Sequence, residues 1–176
     1  MLFRSIGADT PHDVLSTGYF AYSTYLLARS AEVLGKTEDA KKFDVLYEAI
    51  RATFQRAFIT PDGRVRGNTQ TCYLVALRFG LMPTDLIPKA QQYLAEDIEK
   101  KGTHLSTGFV GVGYLNPTLT QANRNDLAYR LLLNDTYPSW GYSIRQGATT
   151  IWERWDGWTQ EKGFQDPGMK IGRAHV

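Results

Sequence analysis

Hydrophobic positions along this chain recur at helical spacing, in two alternating styles. Across residues 14–34, Leu15, Tyr19, Tyr22, Leu26 and Val33 form one stripe and Phe20, Leu27, Ala31 and Leu34 a neighbouring one. Most of that circumference is apolar, which predicts a helix buried on several sides. Gly35 supplies a stop. Thr37 then opens a helix with one stripe, Phe43, Tyr47, Ile50, Phe54 and Phe58, set against Lys41, Lys42, Asp44, Glu48, Arg51 and Gln55, so this second helix keeps a wet outer face. The alternation returns. Residues 71–79 (TCYLVALRF) are apolar nearly all round, and after Gly80 and Pro83 the stretch 86–101 sets Leu86, Ala90, Tyr93, Leu94 and Ile98 against Gln91, Gln92, Glu96, Glu99 and Lys100. A third pair follows in 108–115 (GFVGVGYL) and 125–134, where Leu127, Ala128, Leu131 and Leu132 oppose Asp126 and Arg130. Residues 149–155 are the last candidate inner helix.

Each inner segment begins with small polar residues: Ser16-Thr17-Gly18, Asn68-Thr69-Gln70-Thr71, Ser106-Thr107-Gly108 and Gly147-Ala148-Thr149-Thr150. These openings lie about 40 to 50 residues apart, the scale of a helical-hairpin repeat. Such hairpins build either an open solenoid or a closed toroid with inner and outer rings. In a toroid the inner-helix starts share one rim of a central cavity, so Thr17, Gln70, Thr107 and Glu153 would converge there. Three and a half hairpins do not close a six-hairpin ring, so the toroid reading makes the chain a fragment with unpaired inner surfaces.

Composition narrows the function classes. With 43% hydrophobic and 12% aromatic residues among 176, the chain has ample material for a core, which excludes disorder. A formal charge of +2 without a basic run gives duplex nucleic acid no footprint, so no nucleic-acid partner is expected. One Cys and three scattered His exclude a disulfide scaffold and indicate no metal. No apolar stretch approaches the roughly 20 residues of a membrane span, and the start MLFRSIGADTPHD lacks the apolar core of a signal peptide, so the segment is expected to be soluble and without a membrane partner. Residues 170–176 (KIGRAHV) break the composition and resemble the translation of a common sequencing adapter. We treat 1–169 as the domain and 170–176 as a non-native tail. Removing Lys170 and Arg173 takes the basic count from 20 to 18 against 18 acids, and leaves His12 and His104 as the candidate native histidines.

All four Trp fall between Trp140 and Trp158, in YPSWGYSIRQGATTIWERWDGW, with Glu153 and Asp156 among them. Sugars present flat C–H faces to indoles and hydroxyls to carboxylates, so this mixture suits a carbohydrate pocket; the alternative is an aromatic core patch. Glu153 lies between Trp152 and Trp155. Desolvation there would raise its pKa, while a helix N-terminus and Arg154 would favour the anion. It is a candidate acid or base, or else the partner of Arg154 or Arg145 in an ordinary salt bridge. Asp156 is either a second carboxylate or helix-end solvation. His104 precedes an inner helix, at a pocket rim or in a structural role. Gln70 could meet a sugar hydroxyl or serve as a cap. Gly108, Gly111 and Gly113 lack the strand and the Lys of a phosphate loop and suggest close helix packing. Cys72 reads as a small core residue, and Tyr19, Tyr22 and Tyr25 as core at helical spacing rather than a platform.

DVLSTGYFAYST, NTQTCYLVAL, HLSTGFVGVGYL, YPSWGYSIRQGATTIWERWDGW and EKGFQDPGM together resemble the C-terminal half of the catalytic domain of bacterial α-L-rhamnosidases. The likeness runs from about Pro11 to Met169, in five ordered segments, of which GATTIWERW is the most specific. It implies an all-α fold, part of an (α/α)6 barrel, and an inverting glycosidase without cofactor. Glu153 then matches the general base that activates water, and Trp140, Trp152 and Trp155 would border the rhamnose with His104 and Gln70 as further substrate contacts.

Two departures limit what the resemblance carries over. The family's general acid lies in an earlier segment resembling DCPxRERxGWTGD, and nothing of that kind occurs here. After DPGM the family continues with NSFNHY, whereas Met169 is followed by KIGRAHV, so His175 does not take the place of that motif's His. The expectation is a rhamnosidase fragment, incomplete at both ends and inactive alone, acting on a rhamnose-containing carbohydrate as part of its parent. Two rivals stand beside it: another inverting α/α-barrel glycosidase, and a non-catalytic helical solenoid that binds a protein partner.

Overall fold

A computed structural model describes residues 10–152, 154–161 and 163–164. Seven α-helices are described: α1 His12–Val33, α2 Thr37–Phe58, α3 Gln70–Arg78, α4 Ile87–Lys100, α5 Phe109–Gln121, α6 Asn125–Leu133 and α7 Trp140–Arg145. A 3₁₀ turn, Thr84–Leu86, leads into α4, and two-residue strands β1 Trp158–Thr159 and β2 Gly163–Phe164 pair antiparallel. The described residues divide into two compact units, 10–94 and those from 95 onward, the division falling inside α4 between Leu94 and Ala95.

In the first unit, α2 and α3 pack on α1. The buried residues of α1 are Val14, Leu15, Gly18, Ala21, Thr24, Ala28 and Ala31, and beyond Leu15 they are small, which brings helix axes close. Gly18 is the tightest point, since a Cβ built there would run into Val75 of α3. The expectation that most of α1 would be buried is therefore corrected. Phe20, Leu26, Leu27, Val33 and Leu34 are exposed, Val33 at 87% and Leu34 at 69%, because α2 and α3 cover the small-residue seam instead. The tyrosines of α1 do pack: Tyr22 stacks on Phe79 with centroids 4.3 Å apart, and Tyr25 tilts against Tyr47 at 5.6 Å. Helix α2 buries Ile50, Phe54 and Phe58 from its predicted stripe.

Helix α3 is buried throughout its first seven residues, and the predicted core residue Cys72 has no exposed surface. Its opening works as the sequence suggests: Thr69 is the N-cap, its Oγ1 accepting the Cys72 N–H at 3.2 Å and lying 2.9 Å from Thr10 Oγ1. A cap of this kind satisfies one of the donors left over at a helix start. Ser106-Thr107-Gly108 likewise runs directly into α5, with Gly108 at the N-cap, but the other two openings differ. Ser16-Thr17-Gly18 lies inside α1, which begins at His12 behind Pro11, and Gly147-Ala148-Thr149-Thr150 follows the end of α7.

In the second unit, α5 packs on α6 and α6 on α7, around Ile98, Leu105, Leu115, Leu119, Leu127 and Leu131, all at or below 1% exposure. Close helix packing at the glycine string is not what the structure shows at two of its three positions. Among the described residues a Cβ at Gly108 or Gly113 would meet nothing within 4 Å, while Gly111 is buried. The expected inner helix over 149–155 is also absent from the described residues of that stretch. Gly147, at φ +81°, ends α7, and the Gly147 and Ala148 N–H groups close on the Ile144 and Ser143 carbonyls at 2.9 and 3.0 Å. Glycine tolerates that left-handed turn without a Cβ penalty, and the β-branched run Thr149-Thr150-Ile151 does not restart a helix.

Candidate active site

The second unit gathers the tryptophan-bearing segment. Ser139, 1% exposed, caps α7 by accepting the Tyr142 N–H on its Oγ at 3.0 Å, so Trp140 stands in the first turn. A Cβ at Gly141 would lie 2.6 Å from the Asn134 carbonyl oxygen, which seats that turn directly on the 134–135 peptide. Trp140 meets Trp155 edge to face, with centroids 5.7 Å apart and planes at 86°, a favoured geometry for aromatic quadrupoles. Trp155 in turn donates its Nε1–H to the Thr107 carbonyl at 2.8 Å.

Polar groups surround the pair. Arg154 forks onto Asp156, Nε to Oδ1 at 2.9 Å and Nη2 to Oδ2 at 2.7 Å, and Arg145 pairs with Asp135. Asp156 is thus an ion-pair partner in this structure. Tyr137 packs edge-on against Tyr142 at 5.2 Å, and burial, with the Asp156 carboxylate a lesser cause, raises the Tyr137 phenol above its usual range.

The predicted site residues fall in different places. Trp140 and Trp155 are together; Trp152 is half-buried three residues before Trp155. Glu153 lies outside the described residues, as do 170–176 with His175. His104 belongs to this unit, with Nδ1 2.9 Å from the Lys101 carbonyl and Nε2 2.8 Å from Thr136 Oγ1. Gln70 belongs to the other unit, fully buried in the first turn of α3. The sequence singled out Thr107 as a rim residue but not its backbone carbonyl as an acceptor, and it gave no signal for the Asn134–Thr136 turn. Ser139 immediately before Trp140 was a legible cap signal. Among the described residues, no group of three or more His, Cys, Asp or Glu could hold a metal ion, and no helix is long and apolar enough to cross a membrane.

The described residues thus build helical hairpins and hold an edge-to-face indole pair among them. Residues 3–172 match the family described as the bacterial alpha-L-rhamnosidase 6 hairpin glycosidase domain, and the chain belongs to that family. An alpha-L-rhamnosidase of Streptomyces avermitilis is 47% identical over 165 residues, covering 94% of this chain and 16% of that protein. One from Formosa agariphila is 45% identical over 163 residues, 92% of this chain and 18% of its own length. The crystal structure of the Streptomyces avermitilis enzyme complexed with L-rhamnose matches with a TM-score of 0.89 at 46% identity, over 94% of this chain and 16% of that one. Native rhamnosidase from Aspergillus terreus matches with a TM-score of 0.85 at 32% identity, over 92% and 19%. The chain spans less than a fifth of the length of each of these relatives. Fold class follows: all-α, part of a six-hairpin α/α barrel, which decides between the toroid and the solenoid.

Proposed function

We propose that this chain is the part of an α-L-rhamnosidase catalytic barrel that carries the general base, and that the whole protein removes terminal α-L-rhamnose with inversion. Glu153 takes a proton from water as the water oxygen attacks the anomeric carbon. A carboxylic acid on another segment of the parent protonates the departing oxygen. In an inverting pair the two carboxyls stand roughly 6.5 to 9.5 Å apart, leaving room for the water. Trp140, Trp152 and Trp155 form an apolar wall for the sugar's C–H face and methyl group, and no cofactor takes part.

The observation that carries this reading is the perpendicular Trp140–Trp155 pair flanking Glu153 in sequence. A solenoid scaffold would have scattered these indoles into separate cores. Membership of the rhamnosidase family and the L-rhamnose held by a relative 46% identical support the substrate class.

The test is made on the full-length parent. It should hydrolyse an aryl α-L-rhamnoside and leave an aryl glucoside untouched, whereas this chain alone, holding no segment like the family's acid-bearing one, should turn over neither. Glu153→Gln in the parent should keep sugar binding and lower turnover by about 10² to 10⁴-fold, the usual worth of general-base help. Near-normal turnover by that variant would reject the assignment.

A further inference from the structure

The stretch His104–Thr107, within the eight-residue link 101–108 between α4 and α5, holds both indoles of the pair, one from each end. At the C-terminal end, the Thr107 carbonyl accepts the Trp155 Nε1–H at 2.8 Å. At the N-terminal end, His104 bridges the close of α4 to the turn that precedes Trp140: Nδ1 faces the Lys101 carbonyl at 2.9 Å and Nε2 the Thr136 hydroxyl at 2.8 Å. Thr136 passes the connection on, its N–H donating to Asn134 Oδ1 at 3.0 Å and its Oγ1 lying 2.8 Å from the same oxygen. Asn134 Nδ2 then returns to the Thr103 carbonyl at 2.7 Å, and Arg130 donates to Thr103 Oγ1 at 2.8 Å. The first turn of α7 rests on the Asn134 carbonyl at Gly141. Between the two ends Leu105, Ser106 and Thr107 have almost no exposed surface, so the short link is a rigid bar.

We propose that His104 is a positioning residue: through Thr136 and Asn134 it sets where Trp140 stands against Trp155, while the other end of the same bar fixes Trp155. It follows that His104 shapes the aromatic wall without reaching the sugar itself, a consequence that rests on the rhamnosidase reading. A network of this kind locks its members together, so losing one link frees the rest. A wall that contacts substrate and transition state alike contributes uniform binding, and loosening it raises KM more than it lowers kcat.

Fluorine NMR of the fluorotryptophan-labelled chain reads the wall directly, with the Trp140 resonance assigned by its loss in Trp140→Phe. His104→Ala should shift and broaden that resonance. Thr136→Val, at an exposed position, should do the same without touching the ring. His104→Gln, whose amide nitrogen can occupy the place of Nε2, should restore it. An unmoved Trp140 resonance in Thr136→Val, or in a folded His104→Ala, overturns the proposal. In the full-length parent, His104→Ala should raise KM for an aryl rhamnoside several-fold more than it lowers kcat, and a fall confined to kcat also overturns it. A parent with no rhamnoside turnover at all defeats the functional reading and leaves the NMR result to judge the bar.

Discussion

The indole N–H of Trp155 and the carbonyl of Thr107 meet at 2.8 Å across 48 positions of sequence. Thr107 has no exposed surface, so water has poor access to replace the indole. Trp155→Phe keeps a ring against Trp140 and removes only the donor and some contact area. It should destabilise the chain by about 0.5–1.5 kcal/mol, the net worth of one intramolecular hydrogen bond. Urea unfolding checks this, and a midpoint equal to wild type would mean that the bond contributes nothing.

Two glycines within helices should respond oppositely to alanine. At Gly18 the new methyl would run into Val75, and overpacking a close helix contact typically costs about 1–3 kcal/mol, enough to outweigh the better helix propensity of alanine. At Gly113 of α5 the methyl meets no atom of the described residues within 4 Å, so Gly113→Ala should stabilise by about 0.5–1 kcal/mol through lost chain entropy in the unfolded state. Thermal melts of both variants give the signs.

Alkaline pH should weaken the first unit through Tyr73. Its ring is fully buried and its hydroxyl donates to Asn68 Oδ1 at 2.6 Å. Burial pushes the phenol up to about 12 from an ordinary 10.0. Because the folded value is the higher one, the unfolded chain loses this proton first. The stabilisation is complete below pH 10 and drains away as pH rises from there towards 12. Tyr73→Phe should flatten this part of the profile in melts taken across that window. An unchanged slope would show that other groups set it; Tyr47, also raised by burial, is the first to examine.

Helix α2 shows what a sequence reveals well. Its single stripe, the stop at Gly35 and the opening at Thr37 reappear in the structure, because one amphipathic face and one glycine turn are local properties. Helix α1 shows the limit. Its large apolar stripes attracted the prediction, yet beside Leu15 and the packed tyrosines its buried seam runs along Gly18, Ala21, Ala28 and Ala31, since close approach of two axes rewards small side chains that periodicity ranks low. At the candidate site, the clustering of Trp140 and Trp155 was legible as composition. Their perpendicular contact was not, for it depends on a backbone carbonyl at Thr107 and on a turn at Asn134 that have no side-chain signature. The motif at Gly147 misled for a related reason: the same small residues that open one helix close another, and the sign of φ that separates the cases is invisible in the letters.

The uncovered flank of α1 governs how this polypeptide behaves in a tube. Phe20, Leu27 and Leu34 lay a strip of hydrocarbon along one side of a helix whose small-residue seam is already engaged. Like strips on separate molecules attract each other in water. Dilute preparations should therefore stay dispersed, and crowding them should favour clumps before crystals.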